Sequence, residues 1–411
     1  RRRNNCRGHS RGSDDGAGKL HWSVPTQVFK ALNKSDSRYL ADRIKSHALT
    51  LGFELCGVTT PDPPEHLLEY QSWLADGLHA DMSYMASGRA REMRADPRAL
   101  FPDCKSILVL AANYFQGDAG SSEPSARAGR VARYAWGRDY HEVLLRRLKD
   151  LIAFVEVAAG RPVQHRLYTD TGPIMEREMA QRAGLGWIGK NTMLINPDIG
   201  SWTLLAEAML DLELPADEPF IPDLCGSCTR CIDACPTDAI LLDPRRVDSR
   251  YCISYLTIEH RGTLPVERRA DLEDWVFGCD VCQEVCPWNQ RFARSCKDSD
   301  FAPRAPLPNP QHRELLGLSE VEFSTVFRGT ALKRAKRVGL LRNAAVALGN
   351  TCEGADAVPH LERVLHSDPD AVVRAHAAWA LAQCNAATVQ SILRAALEIE
   401  MDQSVLGEIE A

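Results

Sequence analysis

The sequence contains no apolar run that approaches the length of about eighteen residues needed for a membrane-spanning helix, so no membrane segment is expected. The arginines at its beginning are not followed by the apolar segment of a signal peptide. It also lacks the G-x-G-x-x-G fingerprint, which argues against a Rossmann site for a dinucleotide. The net charge of −6 argues against a uniformly basic nucleic-acid binder, but it does not exclude a local basic face.

The composition is that of a globular protein with several domains. Apolar residues make up 45% of the chain and charged residues 25%. A length of 411 residues corresponds to about two or three domains. The 14 cysteines, most of them regularly spaced, indicate a reducing compartment rather than a disulfide-stabilised secreted domain. We therefore expect a cytoplasmic protein.

The segment from Cys225 to Pro287 contains the most informative spacing. Its first motif, C-x2-C-x2-C-x3-C-P, is the bacterial ferredoxin run for a 4Fe–4S cluster and consists of Cys225, Cys228, Cys231, Cys235 and Pro236. The first three thiolates lie on one tight loop and can bind three irons of one cubane, whereas the fourth ligates a second cluster. The spacing therefore predicts two adjacent clusters and an electron-transfer function.

A second run supplies ligands for the second cluster, and it consists of Cys279, Cys282, Cys286 and Pro287. It lacks the first cysteine of the motif, which would fall at Val276; Cys252 is the best substitute and Cys296 a minor alternative. The predicted ligand sets are Cys225, Cys228, Cys231 and Cys286 for one cluster and Cys235, Cys252, Cys279 and Cys282 for the other. Two four-thiolate zinc sites are the alternative, but zinc does not require the x3-C-P ending twice.

Changes in composition divide the chain into five regions. Residues 1–35 are rich in Arg, Gly and Ser and are expected to be a disordered extension. Residues 36–215 alternate between helical and strand patterns, which predicts an α/β domain with a sheet covered by helices. The cysteine motifs occupy residues 216–300, a predicted ferredoxin-like domain, and the proline-rich residues 301–318 indicate a linker. In residues 319–411 an alanine-rich pattern recurs after thirty-three residues, which predicts a short domain of stacked helix pairs.

Several polar residues in the α/β region admit two interpretations. Asp170 lies between a predicted strand and a predicted helix, so it is either a capping residue or a carboxylic acid at the end of a strand, where such sheets place their sites. Lys190 and Asn191 belong either to an ordinary turn or to a polar site loop. His141 lies in a dense group of aromatic and charged residues, which packing at a helix start explains, and it is interpreted as structural.

The stretch Arg328–Arg342 carries six basic residues and no acidic one. They are Arg328, Lys333, Arg334, Lys336, Arg337 and Arg342. A solvated helix face is the ordinary explanation of such a run, and a surface that contacts nucleic-acid phosphates is the alternative. If the stretch is helical, several of these side chains share one face.

Taken together, these stretches resemble the epoxyqueuosine reductase family over about residues 37–384. The resemblance is carried by both cysteine motifs and by the segments DPRALFPDCKSILVLAANY, RYAWGRDYHEVLLRRLKDL, DTGPIMEREMAQRAGLGWIGKNTMLINPDIGSW, RYCISYLTIEHRG and GTALKRAKRVGLLRNAAVALGN. It implies a cobalamin-binding α/β domain, a ferredoxin-like domain with two 4Fe–4S clusters, and HEAT-like helical repeats. It also implies a reaction that removes the epoxide oxygen of epoxyqueuosine at the tRNA wobble position and leaves queuosine and water.

The resemblance assigns roles to individual positions. Asp170 matches the family's proton donor, and such an acid works best with its pKa raised toward neutrality by burial. The segments that resemble the corrin surroundings contain Arg133, Tyr134, Lys190, Asn191, Ser254 and Asp280. Cobalamin is implied by the resemblance alone, because the D-x-H-x-x-G box of many cobalamin proteins is absent and Asp139 to Leu144 only half matches it.

The implied partners are a tRNA anticodon stem-loop and an electron-donating reductant. Phosphate contacts are predicted for Lys333, Arg334, Lys336, Arg337, Arg342, His260 and Arg261. We expect a monomer without membrane association. Two alternatives are a reductive dehalogenase-like enzyme that acts on a small molecule and a ferredoxin-type electron carrier with a helical docking domain. The helical repeats and the basic run argue against the first, and the long α/β region argues against the second.

Overall fold

The computed structural model describes residues 34–117, 128–242, 245–351 and 356–411. Residues 1–33, nearly all of the predicted disordered extension, lie outside the described residues, and the first helix already begins at Lys34. Within the described part of the chain, no helix is long and apolar enough to span a membrane.

The first part of the chain forms a four-stranded sheet with helices on both faces. It begins with α1 (Lys34–Thr50), β1 (Leu55–Thr59), α2 (Leu67–Ala75), α3 (Ser83–Ala86), α4 (Gly88–Ala95), α5 (Pro97–Leu100) and β2 (Ser106–Asn113). It continues with β3 (Arg130–Val131), α6 (Tyr140–Ala159), β4 (His165–Tyr168), α7 (Glu176–Arg182), β5 (Trp187–Ile188), β6 (Leu194–Ile195) and β7 (Thr203–Leu210). The sheet has the order β1-β2-β7-β4, and all of its pairs are antiparallel.

Strand β2 lies in the interior of this sheet. All 8 of its residues are buried, as expected for a continuous apolar run of strand length. Leu108 and Leu110 belong to the core that α1 and α6 share, whereas Ile107 and Val109 pack with the apolar side chains of α7. The sheet is therefore covered by helices on both faces, as the sequence predicts.

Helix α6 positions two side chains of the candidate site at its first turn. Leu144 and Leu148 recur at helical spacing and are fully buried in the core. Asp139 caps the helix, because its carboxylate accepts a hydrogen bond from the backbone N–H of His141. Tyr140 and His141 are thereby held at the N-terminus of a helix that the core fixes in place.

The cysteine region consists of short elements. They are α8 (Arg230–Asp233), β8 (Ile240–Leu241), β9 (Arg246–Val247), α9 (Ile253–Ile258), α10 (Val266–Arg269), β10 (Trp275–Phe277), α11 (Val281–Glu284) and α12 (Pro287–Phe292). The two cysteine runs fold alike, since a helix of 4 residues, α8 or α11, precedes the final cysteine and proline of each run. These two helices contact each other, and β10 pairs with β3 of the preceding domain.

The C-terminal part is built of helices. They are α13 (His312–Leu316), α14 (Glu320–Val326), α15 (Lys336–Asn350), α16 (Val358–Ser367), α17 (Ala371–Gln383), α18 (Val389–Leu397) and α19 (Gln403–Glu410), with a 3₁₀ helix at Ala331–Ala335. The recurring alanine pattern corresponds to α15 and α17, which pack so closely that a Cβ on Gly349 would lie 3.0 Å from the Cα of Ala380. Helix α13 lies inside the predicted linker. It packs against the core, since its Leu315 and Leu316 are buried there.

Candidate active site and cluster ligands

The first three cysteines of the ferredoxin run lie together with Cys286. The pKa of Cys231 is raised to about 11, first by burial and then by the neighbouring Cys225 and Cys286 thiolates. Burial also raises the pKa of Cys286, with smaller contributions from Cys225 and Cys228. The indole N–H of Trp187 donates to the Cys225 sulfur at 3.4 Å. The four thiols of the first predicted ligand set are therefore neighbours in the fold.

The thiols of the second predicted set are neighbours as well. Burial is the main cause that raises the pKa of Cys279, and the thiolates of Cys252 and Cys235 add to it. The pKa of Cys282 is raised well above its usual value, mainly by burial and then by Cys279 and Cys252. Cys231 of the first set also acts on Cys282, so the two sets lie side by side.

Cys296, the minor alternative to Cys252, lies in different surroundings. Its thiol accepts a hydrogen bond from the backbone N–H of Asp298 at 3.3 Å, and the charges that act on it come from Asp298, Glu54 and Arg147. Among the described residues, no three or more His, Cys, Asp or Glu side chains converge on a single metal-ion position.

Asp170 lies in the turn between β4 and α7. Its φ of 58° is unusual for a residue other than glycine, and its side chain is 66% exposed. Its Oδ2 atom accepts a hydrogen bond from the Tyr140 hydroxyl at 2.7 Å and lies 3.5 Å from Nε2 of His141. The other ring nitrogen of His141 lies 2.7 Å from Asp139 Oδ1. Since Met175 occupies the N-cap of α7, Asp170 is not the capping residue of that helix.

The charge state of this group differs from the neutral acid that the sequence suggests. Burial raises the pKa of Asp170, but hydrogen bonds from His141 and Tyr140 lower it by more, so the net pKa is below its usual value. Burial opposes the protonation of His141, but its bonds to Asp139 and Asp170 raise its pKa to about 9. The expectation of a raised pKa for Asp170 is therefore wrong, because its proton resides on His141 at neutral pH.

Two further carboxyl groups adjoin Asp170. Glu176, at the start of α7, accepts a hydrogen bond from the backbone N–H of Asp170 at 2.6 Å. Burial and the nearby charge of Asp170 raise the pKa of Glu176 to about 7. Glu207 of β7 is fully buried, and neither of its carboxylate oxygens meets a hydrogen-bond donor among the described residues. Burial and the nearby charge of Glu176 raise its pKa well above the usual value, which favours the protonated form of Glu207.

Arg133, Tyr134 and Asp280 connect the second cysteine set with Asp170. The backbone N–H of Arg133 donates to the Asp280 carboxylate at 2.7 Å, and burial raises the pKa of Asp280 to about 7. The ring of Tyr134 lies 5.8 Å from that of Tyr140. Within the described residues, the buried Nε atom of Arg133 has no hydrogen-bond partner. An unpaired buried donor is compatible with a polar group of a bound cofactor, and the corrin contacts of Arg133, Tyr134 and Asp280 stay predictions.

Lys190, Asn191 and Ser254 adjoin the cysteine loops instead. The ammonium group of Lys190 donates to two backbone carbonyls of the first cysteine run at 2.7 and 2.9 Å. The amide of Asn191 donates to the carbonyl of Cys282 at 3.4 Å. Ser254 lies in the first turn of α9, whose N-cap is Cys252. Lys190 therefore holds the loop of the first cysteine set, and the corrin contacts of Lys190, Asn191 and Ser254 stay predictions.

Tyr140, Glu176 and Glu207 were not identified as site residues from the sequence, and His141 was interpreted as structural. For His141 the available signal was its place two residues after Asp139 at a helix start, where both side chains point to one end of the helix. For Glu207 the signal was a single acidic residue within the otherwise apolar strand TLLAEAML. Neither pattern names Asp170 as the partner, because that contact depends on the tertiary fold.

The basic run does not form one surface. Arg337 is buried and pairs with Asp368. Arg342 is also buried, donates to the carbonyl of Leu256 at 2.6 Å, and has a pKa that burial lowers to about 9. The prediction that these two arginines contact phosphates is wrong. The physical reason is that the chain turns at Lys336, where φ is 60°, and α15 then packs into the core.

Of the residues predicted to contact phosphates, four are exposed, namely Lys333, Arg334, Lys336 and Arg261. Arg334 forms two hydrogen bonds with the Glu259 carboxylate at 2.7 and 2.8 Å. Arg261 donates to two backbone carbonyls at the end of the 3₁₀ helix, at 2.7 and 3.2 Å. His260 lies 3.1 Å from Asp81. Arg261 and Arg334 therefore join the cysteine region to the C-terminal helices, and contacts of the exposed residues with phosphates stay predictions.

Comparison with protein families gives two matches. The family described as epoxyqueuosine reductase QueG, DUF1730, matches residues 94–171, which include Asp170. The 4Fe-4S double cluster binding domain matches residues 224–289, which include both cysteine runs. The epoxyqueuosine reductase of Xanthomonas campestris pv. campestris is 41% identical over 355 residues, which cover 86% of this chain and 98% of the relative.

Two solved structures have the same architecture. An epoxyqueuosine reductase with an epoxyqueuosine-modified tRNA-Tyr stem-loop is 32% identical, with a TM-score of 0.82 and coverage of 90% of this chain and 97% of that one. The Bacillus subtilis epoxyqueuosine reductase, with its catalytic aspartate loop swung out of the active site, has the same identity, TM-score and coverage. From the 41% identity over nearly the whole of the Xanthomonas relative and this shared fold, the chain belongs to the epoxyqueuosine reductase family of oxidoreductases.

Proposed function

We propose that this chain reduces epoxyqueuosine at the wobble position of a tRNA to queuosine. The observation that carries the proposal is that the exposed Asp170 contacts Tyr140 and His141 next to a region with two ferredoxin-type cysteine sets. The relative solved with an epoxyqueuosine-modified stem-loop supports this substrate, since its fold covers 90% of this chain.

The reaction converts an epoxide to an alkene and releases water, which requires two electrons and two protons. When bound, two 4Fe–4S clusters and a cobalamin supply the electrons. We assign the clusters to the two cysteine sets and the cobalamin to the surface around Arg133, Tyr134 and Asp280. The unpaired Nε of Arg133 and the ring of Tyr134 offer this cofactor a donor and an aromatic contact. An external reductant must reduce the clusters again after each turnover.

In this proposal Asp170 delivers a proton to the epoxide oxygen, because its exposed carboxylate can reach a bound substrate. His141 stores the proton at neutral pH, since its pKa is raised to about 9 and its Nε2 lies 3.5 Å from Oδ2 of Asp170. Asp139 orients the imidazole ring by contact with its other nitrogen. When RNA covers the site and excludes water, a neutral His–Asp pair becomes favourable over an ion pair, which moves the proton onto Asp170.

We infer that the turn that carries Asp170 is also a segment that moves. In the Bacillus subtilis relative the catalytic aspartate loop is swung out of the active site. In this chain the same turn is held by the Tyr140 hydroxyl and by Glu176, which accepts the backbone N–H of Asp170. We infer that these two hydrogen bonds hold the closed position and break when the loop opens for the RNA.

The test compares Asp170→Asn with the wild-type protein, both purified without air and loaded with iron and cobalamin. The variant should bind cofactors and stem-loop RNA normally but reduce epoxyqueuosine more slowly by roughly two to four orders of magnitude. Single-turnover conversion of a modified stem-loop, followed by mass spectrometry, measures this. Nearly normal turnover in the variant would leave Asp170 a structural residue, and a wild-type protein without any turnover would refute the proposed function.

A further inference from the structure

A surface pocket of about 310 Å³ opens beside the start of α6. Its four basic lining residues are Arg138, Arg146, Arg304 and Arg328, and we call it the arginine pocket. Glu142 is the single acidic residue in the lining. The lining comes from the start of α6, the proline-rich segment before α13 and the turn after α14. Positive charge is therefore collected from three distant parts of a chain whose net charge is −6.

Asp300 neutralises part of this charge. Its carboxylate lies 3.6 Å from Nε of Arg138 and 2.7 Å from Nη2 of Arg146. It also lies 3.2 Å from the guanidinium of Arg147. Arg147 also pairs with Asp298, so two carboxylates face three arginines, and positive charge remains in excess on this side of the pocket.

Arg304 and Arg328 form no ion pair within the described part of the chain. Arg304 donates to the backbone carbonyl of Gly329 at 3.3 Å, which is a neutral acceptor. The side chain of Arg328 is exposed and forms no hydrogen bond with any described residue. These two guanidinium groups therefore keep most of their donors available for an anion.

The arginine pocket and the Asp170 group share the start of α6. Asp139, whose carboxylate orients His141, donates its backbone N–H to the carbonyl of Gly329 in the pocket wall at 2.8 Å. Arg138, which lines the pocket, directly precedes Asp139 in the chain. His141 in turn lies 3.5 Å from the Asp170 carboxylate. The pocket is therefore linked to the candidate proton donor through Asp139 and His141.

We propose that the arginine pocket binds a backbone phosphate of the substrate RNA while the modified nucleotide lies at Asp170. The inference rests on the proposed function, because it names the surface that holds the same substrate. A phosphodiester fits, since a guanidinium fork matches two phosphate oxygens and the N-terminus of α6 adds positive potential. Such a contact positions the RNA without reading its bases. It takes over the role that the sequence suggests for Arg337 and Arg342, which are buried.

The test is the double variant Arg304→Ala/Arg328→Ala, assayed for binding of modified and unmodified stem-loop RNA over a range of salt concentrations. We expect roughly tenfold weaker binding at about 0.15 M salt and a salt slope shallower by about one to two, since each lost phosphate contact leaves a counterion in place. Both RNAs should be affected equally. The single-turnover rate at saturating RNA should change by less than about twofold, because neither arginine contacts Asp170 or its partners.

Two matched variants separate the pocket from other effects of charge. Arg304→Lys/Arg328→Lys keeps both positive charges and should recover most of the affinity. Arg38→Ala/Arg394→Ala removes two exposed arginines on α1 and α18 and should leave affinity and slope unchanged. Melting temperatures of all three variants should equal that of the wild-type protein, because the substituted side chains lie on the surface.

Unchanged affinity and slope in Arg304→Ala/Arg328→Ala, together with wild-type protein that still reduces epoxyqueuosine, would overturn the arginine pocket and leave the proposed function intact. An equal loss of affinity in Arg38→Ala/Arg394→Ala would also overturn it, because net charge would then explain the result. A wild-type protein that neither binds nor reduces the stem-loop would remove the proposed function, and the pocket's role with it.

Discussion

On the side of the molecule proposed to transfer electrons, the cysteines lie in loops that two one-turn helices of equal length support, and burial raises the pKa of Cys279 and Cys282. On the proton-transfer side, Asp170 has a side chain that is 66% exposed, in a turn with a positive φ. The proposed cluster ligands are thus held by repeated backbone geometry, whereas the proposed acid is held by hydrogen bonds that can be exchanged. If RNA is the substrate, as we propose, its size requires that freedom at the acid and not at the clusters.

The protonation states of the two sides differ as well. Thiols with a raised pKa keep their protons until iron binds, so cluster assembly must release protons. Asp170 is ionised in the folded protein, and its proton is stored on His141, whose pKa is raised to about 9. A substitution on one side should therefore leave the protonation states on the other side unchanged.

The largest effect is expected from Cys286→Ser. Although Cys286 follows Cys282 in the chain, it lies with Cys225 and Cys228 in the fold. The variant should therefore lose the cluster of the first cysteine run, with iron falling from about eight to about four atoms per chain and turnover below detection. Iron analysis and EPR of the reduced protein measure this, while stem-loop binding should be unchanged.

The matched control is Cys296→Ser, since Cys296 lies with Asp298 and apart from both cysteine sets. This control should keep its full iron content and turnover. If Cys286→Ser loses the cluster of Cys279 and keeps that of Cys225, the two ligand sets are assigned incorrectly.

His141→Gln should have the next largest effect, and it is confined to the proton-transfer side. The single-turnover rate of the wild-type protein should fall as the pH rises through about 9, because His141 then loses its stored proton. Glutamine cannot store a proton, so the variant should be slower by roughly tenfold to a hundredfold and should lack this alkaline fall. The pH–rate profile at saturating RNA measures both effects. The EPR signals of His141→Gln should match those of the wild-type protein. If the variant keeps the alkaline fall in rate, the titrating group is a residue other than His141.

These two sides also differ in how far the sequence predicts them. Spacing within the cysteine runs identifies thiols that the structure brings together, because ligands separated by two or three residues determine their own turn geometry. Spacing does not identify the partners of Asp170. Tyr140 and His141 come from α6 and Glu207 from β7, and they meet Asp170 and Glu176 through tertiary packing alone.

The basic run shows the same limit more sharply. Its six positive charges without an acid suggest an exposed basic surface, but Arg337 forms an ion pair with Asp368, 31 residues further along the chain. Arg342 finds backbone carbonyls that α9 and the segment after it supply. A count of charges along the chain cannot show partners that other helices contribute. In the same way, the strands follow from apolar runs, but the order β1-β2-β7-β4 depends on pairing between distant segments.

The smallest effect is expected from Glu207→Gln, which tests whether the buried carboxyl pair is distinct from the ionised Asp170. Glu176 has a usual pKa of 4.5 that is raised to about 7, and the pKa of Glu207 is also raised. The folded protein therefore holds protons that the unfolded chain releases, so these groups reduce stability as the pH rises from about 4.5 toward 7 and beyond. Glutamine imitates the protonated form of Glu207 and removes its share of this loss.

The melting temperature of Glu207→Gln should equal that of the wild-type protein at about pH 5 and exceed it by roughly 2–4 °C at about pH 8. The infrared band of a protonated carboxylic acid should weaken in the variant. Turnover should change by less than about threefold, because Glu207 acts on the Asp170 turn only through Glu176. The surface substitution Glu213→Gln is the control and should show no pH-dependent difference. A Glu207→Gln protein that is less stable than the wild type at both pH values would mean that Glu207 is ionised in the folded protein.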